Sequence, residues 1–258
     1  DAVMHMAAET VVEYSMTDPR RYFHNNIVGG INLLDAMLKH EVYKFVFSSS
    51  AAVYGDPESI PIEEGHLKLP VNSYGESKLM FEHILQWYGK AYGLKHIFLR
   101  YFNAAGATEL LGEDHCPETH LIPNVLKAAL LQSPISIFGT DYPTKDGSCI
   151  RDYVDVIDIA QAHILALERI EQFNGRAYNL GNEEGCSVFE VVEAARKVTH
   201  AEIPVKISSR RAGDPAVLVA SSKQAKLELG WKPQFAQLEA IVESAWKWMR
   251  KHPEGYSA

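Results

Sequence analysis

The run Lys44-Phe45-Val46-Phe47 leads directly into Ser48-Ser49-Ser50-Ala51-Ala52-Val53-Tyr54-Gly55, and this juncture constrains the fold more than any other stretch. A short apolar run bounded by small residues reads as a buried strand that opens at its carboxyl end. In open α/β sheets, ligands sit at that end. The connection that follows holds Pro57, Pro61 and Pro70. Proline suits neither a helix interior nor a central strand, so this is a loop on the ligand side. Asn72 or Ser73 then caps a helix that carries Tyr74 and Lys78, with Leu79, Phe81, Ile84, Leu85 and Tyr88 as its packing face. Tyr74 and Lys78 are four apart and share one face of that helix. An ammonium beside a phenol favours the phenolate, so Lys78 is expected to bring Tyr74 below its free pKa of about 10. A serine hydroxyl from the strand exit can hold the hydroxyl that such a base deprotonates. Ser50, Tyr74 and Lys78 are therefore a candidate proton-transfer triad. Taken alone, the Tyr-x-x-x-Lys pair also fits an exposed lysine lying over a half-buried tyrosine.

The flanking chain alternates strand and helix. Asp1-Ala2-Val3-Met4-His5-Met6-Ala7-Ala8 reads as an apolar strand. Helical spacing follows in Ile27, Ile31, Leu34 and Leu38, after a break at Pro19. His96-Ile97-Phe98-Leu99 is a further strand, and it ends in Arg100-Tyr101-Phe102-Asn103-Ala104-Ala105-Gly106, where small residues admit a ligand close to the backbone. Beyond Gly106 the alternation lapses into irregular polar sequence, which places a domain boundary near Ala107. A helix is expected from Pro123 to Leu131, then a long hairpin-like loop through Gly139 and Gly147. Arg151 stands at the start of an apolar strand, where its planar fork suits an anion. Asp155 and Asp158 form an acidic cap and first turn for a helix to Glu168. Further helices are expected over Val188–Val198, up to a glycine cap at Gly230, and through Leu238, Ile241, Ala245 and Trp248.

Composition narrows the partners. With 258 residues, 47% hydrophobic and 22% charged, the chain can bury a sizeable core. A net charge of −8 argues against nucleic acid and anionic membranes as partners. No run approaches the roughly 18 apolar residues of a membrane span, and no basic-then-apolar leader opens the sequence. Three cysteines, odd in number and far apart, fit reduced thiols, so a cytoplasmic protein is expected. The 11 histidines show no paired spacing such as His-x-x-x-His, and no metal site is expected.

Ser-Ser-Ser-Ala-x-Val-Tyr-Gly followed by Tyr-Gly-x-Ser-Lys resembles the extended short-chain dehydrogenase/reductase superfamily, in its nucleotide-sugar branch. The run Phe-Gly-x-Asp-Tyr-Pro-Thr-x-Asp-Gly-x-x-x-Arg-Asp-Tyr, from Phe138 to Tyr153, is similar to the UDP-galactose/UDP-glucose 4-epimerase family more than to other branches. The resemblance spans all 258 residues. It implies an α/β fold: an NAD-binding, Rossmann-like, doubly wound parallel sheet over 1–106, and a smaller α/β UDP-sugar-binding domain over 107–258. Segments near 151–182 would cross back to the first domain.

By that resemblance, roughly 70 residues of the cofactor domain, with its Gly-x-x-Gly-x-x-Gly phosphate loop, precede Asp1. Gly29-Gly30, inside a helical pattern, does not replace that loop.

The same resemblance makes Tyr74 the base, assigns Lys78 to the nicotinamide ribose, and assigns Ser50 to the substrate hydroxyl. Met6, Ala7, Ala8, Thr10, Asn25, Ser48 and Phe102 join Tyr74 and Lys78 around NAD. Thr10 stands where some epimerases carry lysine. Asn103, His120, Leu121, Ser136, Ile137, Phe138, Arg151, Arg211 and Asp214 join Ser50 and Tyr74 around the UDP-sugar. His120 stands where several epimerases carry asparagine. Val217 stands where some carry a tyrosine that narrows the sugar pocket, which leaves N-acetyl sugars open.

The implied reaction interconverts UDP-galactose and UDP-glucose through a 4-keto sugar. UDP-pentose, UDP-uronate or N-acetylhexosamine epimerases and a non-catalytic UDP-sugar-binding module are the alternatives. A 4,6-dehydratase needs an Asp-Glu pair where this chain has Ala51 and Ala52. A homodimer through the helices bearing Gly29–Leu38 and Tyr74 is also implied.

Overall fold

The computed structural model describes residues 1–211 and 214–256. Ala212 and Gly213, part of the turn expected beside Arg211 and Asp214, lie outside the described residues.

Strand β1 (Val3–His5) precedes two short helices, α1 (Val12–Thr17) and α2 (Pro19–Tyr22), a π-helical turn over Phe23–Val28, and α3 (Gly29–Lys39). β2 (Lys44–Ser50) runs through a short turn at Ala51–Val53 and a long loop to α4 (Ser73–Tyr92), then β3 (Lys95–Tyr101) and β4 (Asn103–Ala105). Next come α5 (Leu121–Leu131), β5 (Ile135–Phe138), β6 (Ile150–Asp155), α6 (Val156–Glu168) and β7 (Ala177–Leu180). β8 (Gly185–Ser187), α7 (Val188–Thr199), β9 (Val205–Ser208), β10 (Val217–Leu218), a π-helical turn at Ala225–Leu229 and α8 (Leu238–Lys251) follow. The expected break at Pro19 is a helix start: Pro19 takes the first helical position and Asp18 accepts the Arg21 N–H.

The chain divides into two units. The first comprises Asp1–Tyr101, Ala160–Leu180 and Ser221–Trp231. Its sheet has the order β1-β2-β3-β7, all parallel, with Phe47 beside Phe98 and Ser50 beside Tyr101. Alternation sends Phe45 and Phe47 to one face, where they meet Leu34 and Met37 of α3 and Phe81 and Leu85 of α4. Burying each such ring contributes on the order of 1.5–3 kcal/mol. Gly30 is required here, because a Cβ would lie 2.3 Å from the Phe81 ring. On the opposite face the Ser48 hydroxyl lies 3.0 Å from His163 Nε2 of α6. Helices on both faces are what a parallel sheet needs.

The second unit comprises Phe102–Ile159, Gly181–Ala220 and Lys232–Ala258. β10, β6 and β4 are parallel in that order, and β8 runs antiparallel to β6. β5 and β9 form a separate parallel pair. The expected hairpin-like loop connects β5 to β6, but the two strands do not pair with each other. The loop between them closes on itself, with Tyr142 N–H donating to the Gly147 carbonyl, and each strand finds its partner far along the chain. Nothing in the local turn residues records such distant pairings. The core of this unit joins Val125 and Leu126 of α5, Val191, Val192 and Ala195 of α7, and Ile241 and Val242 of α8. Asp155 caps α6 through the Ile157 N–H and Asp158 lies in its first turn, as expected, and the buried Asp158 carboxylate also accepts the N–H groups of Gln234 and Phe235.

Candidate active site

In the first unit the end of β2 and the start of α4 bring Ser50, Tyr74 and Lys78 together. Asn72 caps α4 by accepting the Gly75 N–H at 2.8 Å. Gly75 itself packs on the strand exit, where a Cβ would sit 2.4 Å from the Ala52 carbonyl oxygen. The Tyr-Gly step is thus the contact that lets the helix start approach the serines. Ser50 hydrogen-bonds the Tyr74 hydroxyl and also accepts the Ala52 N–H. The Lys78 ammonium donates to the Ser48 carbonyl at 2.8 Å, and it stands 5.8 Å from the Tyr74 ring centre.

The electrostatics correct one expectation. Burial pushes the Tyr74 phenol above its ordinary value, and the Ser50 hydrogen bond is what draws it back down. The nearby ammonium does not overcome that desolvation. Lys78 is itself 3% exposed, and burial lowers its pKa to about 8 while the Glu82 charge works the other way. A charge taken out of water is disfavoured whichever sign it carries, and here the cost falls on both partners.

Beneath this group lies a buried polar network. Glu82 of α4 accepts two hydrogen bonds from Arg100 and one from Ser49 at 2.6 Å. Arg100 also donates to the Tyr54 hydroxyl at 3.0 Å, and that hydroxyl donates to Asn179 of β7 at 2.7 Å. Desolvation pushes the Tyr54 phenol up to about 12. Glu82 has no place among the residues picked out from the sequence. Its signal was present all the same: Tyr74, Lys78 and Glu82 are spaced i, i+4, i+8 on one helical face.

The residues expected around the cofactor divide into two kinds. Met6, Ala7 and Asn25 are exposed, and Ala8 and Thr10 are half-buried. Ser48 is buried, with its hydroxyl at His163 and its carbonyl at Lys78. Asn26, the neighbour of Asn25, is the structural amide. It accepts the Glu9 N–H at 2.8 Å and donates to Ser77 at 2.9 Å, tying the segment after β1 to α4. The donor set fits the nicotinamide ribose end of NAD. Lys78 keeps N–H donors beyond the one spent on Ser48, at the carboxyl end of a parallel sheet.

The remaining candidates lie in the second unit. Phe102 is buried there, and Asn103 pairs in register with Tyr153. Arg151 and Asp214 form an ion pair, and Arg151 also donates to the Ile150 carbonyl. The Arg211 guanidinium stacks 4.2 Å over the Phe138 ring, while Ser136 and Ile137 precede Phe138 on β5. His120 is the N-cap residue of α5, and Leu121 opens that helix. The His120 Nδ1 faces Glu113 at 2.5 Å and Glu118 at 3.2 Å, and these contacts raise its pKa to about 10. Glu113, His115, Glu118 and His120 present four possible ligand atoms within 4.8 Å of one another, a grouping with no His-x-x-x-His spacing to mark it in the sequence. No helix among the described residues is long and apolar enough to cross a membrane.

A parallel sheet with Ser50 at its carboxyl edge, and Tyr74 and Lys78 on the helix that follows, is a scaffold of the kind that takes a nucleotide at its strand ends. The sequence matches the model of the NAD dependent epimerase/dehydratase family over residues 1–181, and the chain belongs to that family. It is 52% identical to the UDP-glucose 4-epimerase of Halalkalibacterium halodurans over 100% of this chain and 78% of that protein. A crystal structure of a UDP-glucose 4-epimerase superposes with a TM-score of 0.96 at 49% identity, covering 100% of this chain and 79% of the other. The UDP-glucose 4-epimerase of Bifidobacterium longum, solved with NAD+ and UDP, superposes with a TM-score of 0.94 at 39% identity, covering 99% of this chain and 78% of the other.

Proposed function

We infer that the chain interconverts UDP-galactose and UDP-glucose as an NAD-dependent 4-epimerase. The observation that carries this reading is the buried group of Ser50, Tyr74 and Lys78, with the serine hydroxyl bonded to the phenol. Tyr74 must first lose its own proton against the burial that holds its phenol up; as the phenolate it takes the proton from the sugar's 4-hydroxyl and returns it after inversion. Ser50 holds that hydroxyl in line with the phenol. Lys78 holds the nicotinamide ribose with the donors that Ser48 leaves unused. When bound, NAD supplies the hydride acceptor and donor that carries the sugar through its 4-keto form. Ala51 and Ala52 offer no further acid–base pair, so elimination of water is not supported.

Met6, Ala7, Ala8, Thr10, Asn25, Ser48 and Phe102 complete the proposed cofactor contacts. Asn103, His120, Leu121, Ser136, Ile137, Phe138, Arg151, Arg211 and Asp214 are the proposed UDP-sugar contacts. Arg151 and Arg211 supply charge for the diphosphate, and Asp214 accepts from a ribose hydroxyl. The exposed Val28, at the turn leading into α3, and the exposed Met80 and Trp87 of α4 support a homodimer, and the free cysteines support a cytoplasmic setting.

Incubation with UDP-galactose and added NAD tests the reading. UDP-glucose formed by the parent and lost in Tyr74→Phe is the expected result. UDP-sugar binding without turnover in the NAD-loaded chain would favour a binding module instead.

A further inference from the structure

We propose that Glu113, His115, Glu118 and His120 form a binding site for one divalent first-row metal ion of the zinc class. The four side chains come from eight consecutive residues of the second unit, spaced Glu-x-His-x-x-Glu-x-His. The His115 Nδ1 lies 3.2 Å from Glu113 Oε1 and 3.7 Å from Glu118 Oε2. The His120 Nδ1 lies 2.5 Å from the same Glu113 oxygen and 3.2 Å from Glu118 Oε1. The two imidazoles thus aim the same nitrogen at one shared pair of carboxylates, with ring centres 5.0 Å apart and planes at 67°.

Two imidazole nitrogens and two carboxylate oxygens are a borderline donor set suited to zinc. Ligand bonds of about 2.0–2.2 Å place neighbouring donors of a tetrahedral ion about 3.3–3.5 Å apart. The observed spacings of 2.5 to 3.7 Å bracket that value, and all four atoms lie within 4.8 Å. Small rotations of four side chains close the shell.

Part of the site is already held in place. One Glu118 oxygen accepts the backbone N–H groups of Thr119 and His120 at 2.7 Å each, which fixes the carboxylate. The Asn124 amide anchors the turn by donating to the His120 carbonyl at 2.8 Å. The partial positive charge at the N-terminus of α5 opposes a cation, and two full carboxylate charges outweigh it. An ion would take the His120 Nδ1 and pin the segment from Glu113 to the first turn of α5, leaving the His120 Nε2 and Leu121 for the proposed UDP-sugar contact.

Isothermal titration calorimetry tests the site with ZnCl2, using untagged protein stripped by a chelator. The expected result is one ion per chain with micromolar or tighter Kd, together with a rise in Tm. His115→Ala and Glu113→Gln each weaken binding by about tenfold or more. His115 is exposed and Glu113 partly exposed, and circular dichroism checks that each variant folds. Cys116→Ser, whose sulfur is not among the four donors, keeps the parent affinity. No saturable one-to-one binding in the parent, unchanged affinity in both His115→Ala and Glu113→Gln, or loss of binding in Cys116→Ser would each overturn the proposal.

Discussion

The Arg100 guanidinium and the Glu82 carboxylate meet at two points, Nε to Oε1 at 2.8 Å and Nη2 to Oε2 at 2.5 Å, with both side chains buried. Because Glu82 also holds Ser49 and Arg100 also holds Tyr54, this pair fixes the ends of β2 and β3 to the helix that carries Tyr74 and Lys78. The catalytic group rests on a buried ion pair.

Glu82→Gln is expected to destabilise the chain by about 3–5 kcal/mol, because it leaves the Arg100 charge buried without its counter-ion. The same substitution removes the charge that holds the Lys78 pKa up, so Lys78 should titrate below its present value near 8. Urea unfolding measures the first effect. An acid-shifted midpoint for the Lys78 ammonium, followed by NMR of the labelled side chain, reports the second.

Ser50→Ala removes the hydrogen bond that draws the Tyr74 phenol down against desolvation. Activity that depends on the phenolate rises with pH, so the rising limb of the pH–rate profile should move to higher pH. At neutral pH the rate should fall by about 10²–10³. A uniform fall with an unmoved limb would mean that Ser50 acts on the substrate alone.

Lys78→Met is expected to stabilise the fold while abolishing turnover. The folded-state pKa near 8 lies below the ordinary 10.5, so between those values the unfolded chain binds more protons and parent stability rises with pH. Below pH 8 the cost of burying the charge is fully present. The variant should therefore gain on the order of 3 kcal/mol at pH 7, and the gain should fade toward pH 10. Unfolding curves at pH 7 and pH 10 check this, and a pH-independent difference would contradict it.

Arg151→Ala should weaken UDP binding by about 10–100-fold, the loss expected for a hydrogen-bonded charge on a diphosphate. It also leaves Asp214 without its ion-pair partner. Asp214→Asn should cost less. Calorimetry with UDP separates the two, and equal Kd values for parent and Arg151→Ala would remove Arg151 from the binding site.

The sequence by itself determined the parallel sheet and the identity of its chemical residues. A seven-residue apolar strand ending in serines, a proline-rich loop and a Tyr-x-x-x-Lys helix are local signals, set by burial, backbone restriction and helical period. The cap at Asn72, the cap at Gly230 and the packing residues of α7 follow from the same short-range rules. Tertiary structure alone decided what those residues experience. Desolvation depends on everything packed around a group, so the raised Tyr74 phenol ran against the expectation drawn from its neighbour Lys78. Strand pairing in the second unit joins Ile135 to Val205 and Asn103 to Tyr153, separations that no turn signal spans. The cluster around His115 and His120 has no helical ligand spacing, because an irregular loop brings it together. Local sequence carries residue chemistry and element type, whereas burial and long-range pairing exist only once the chain has folded.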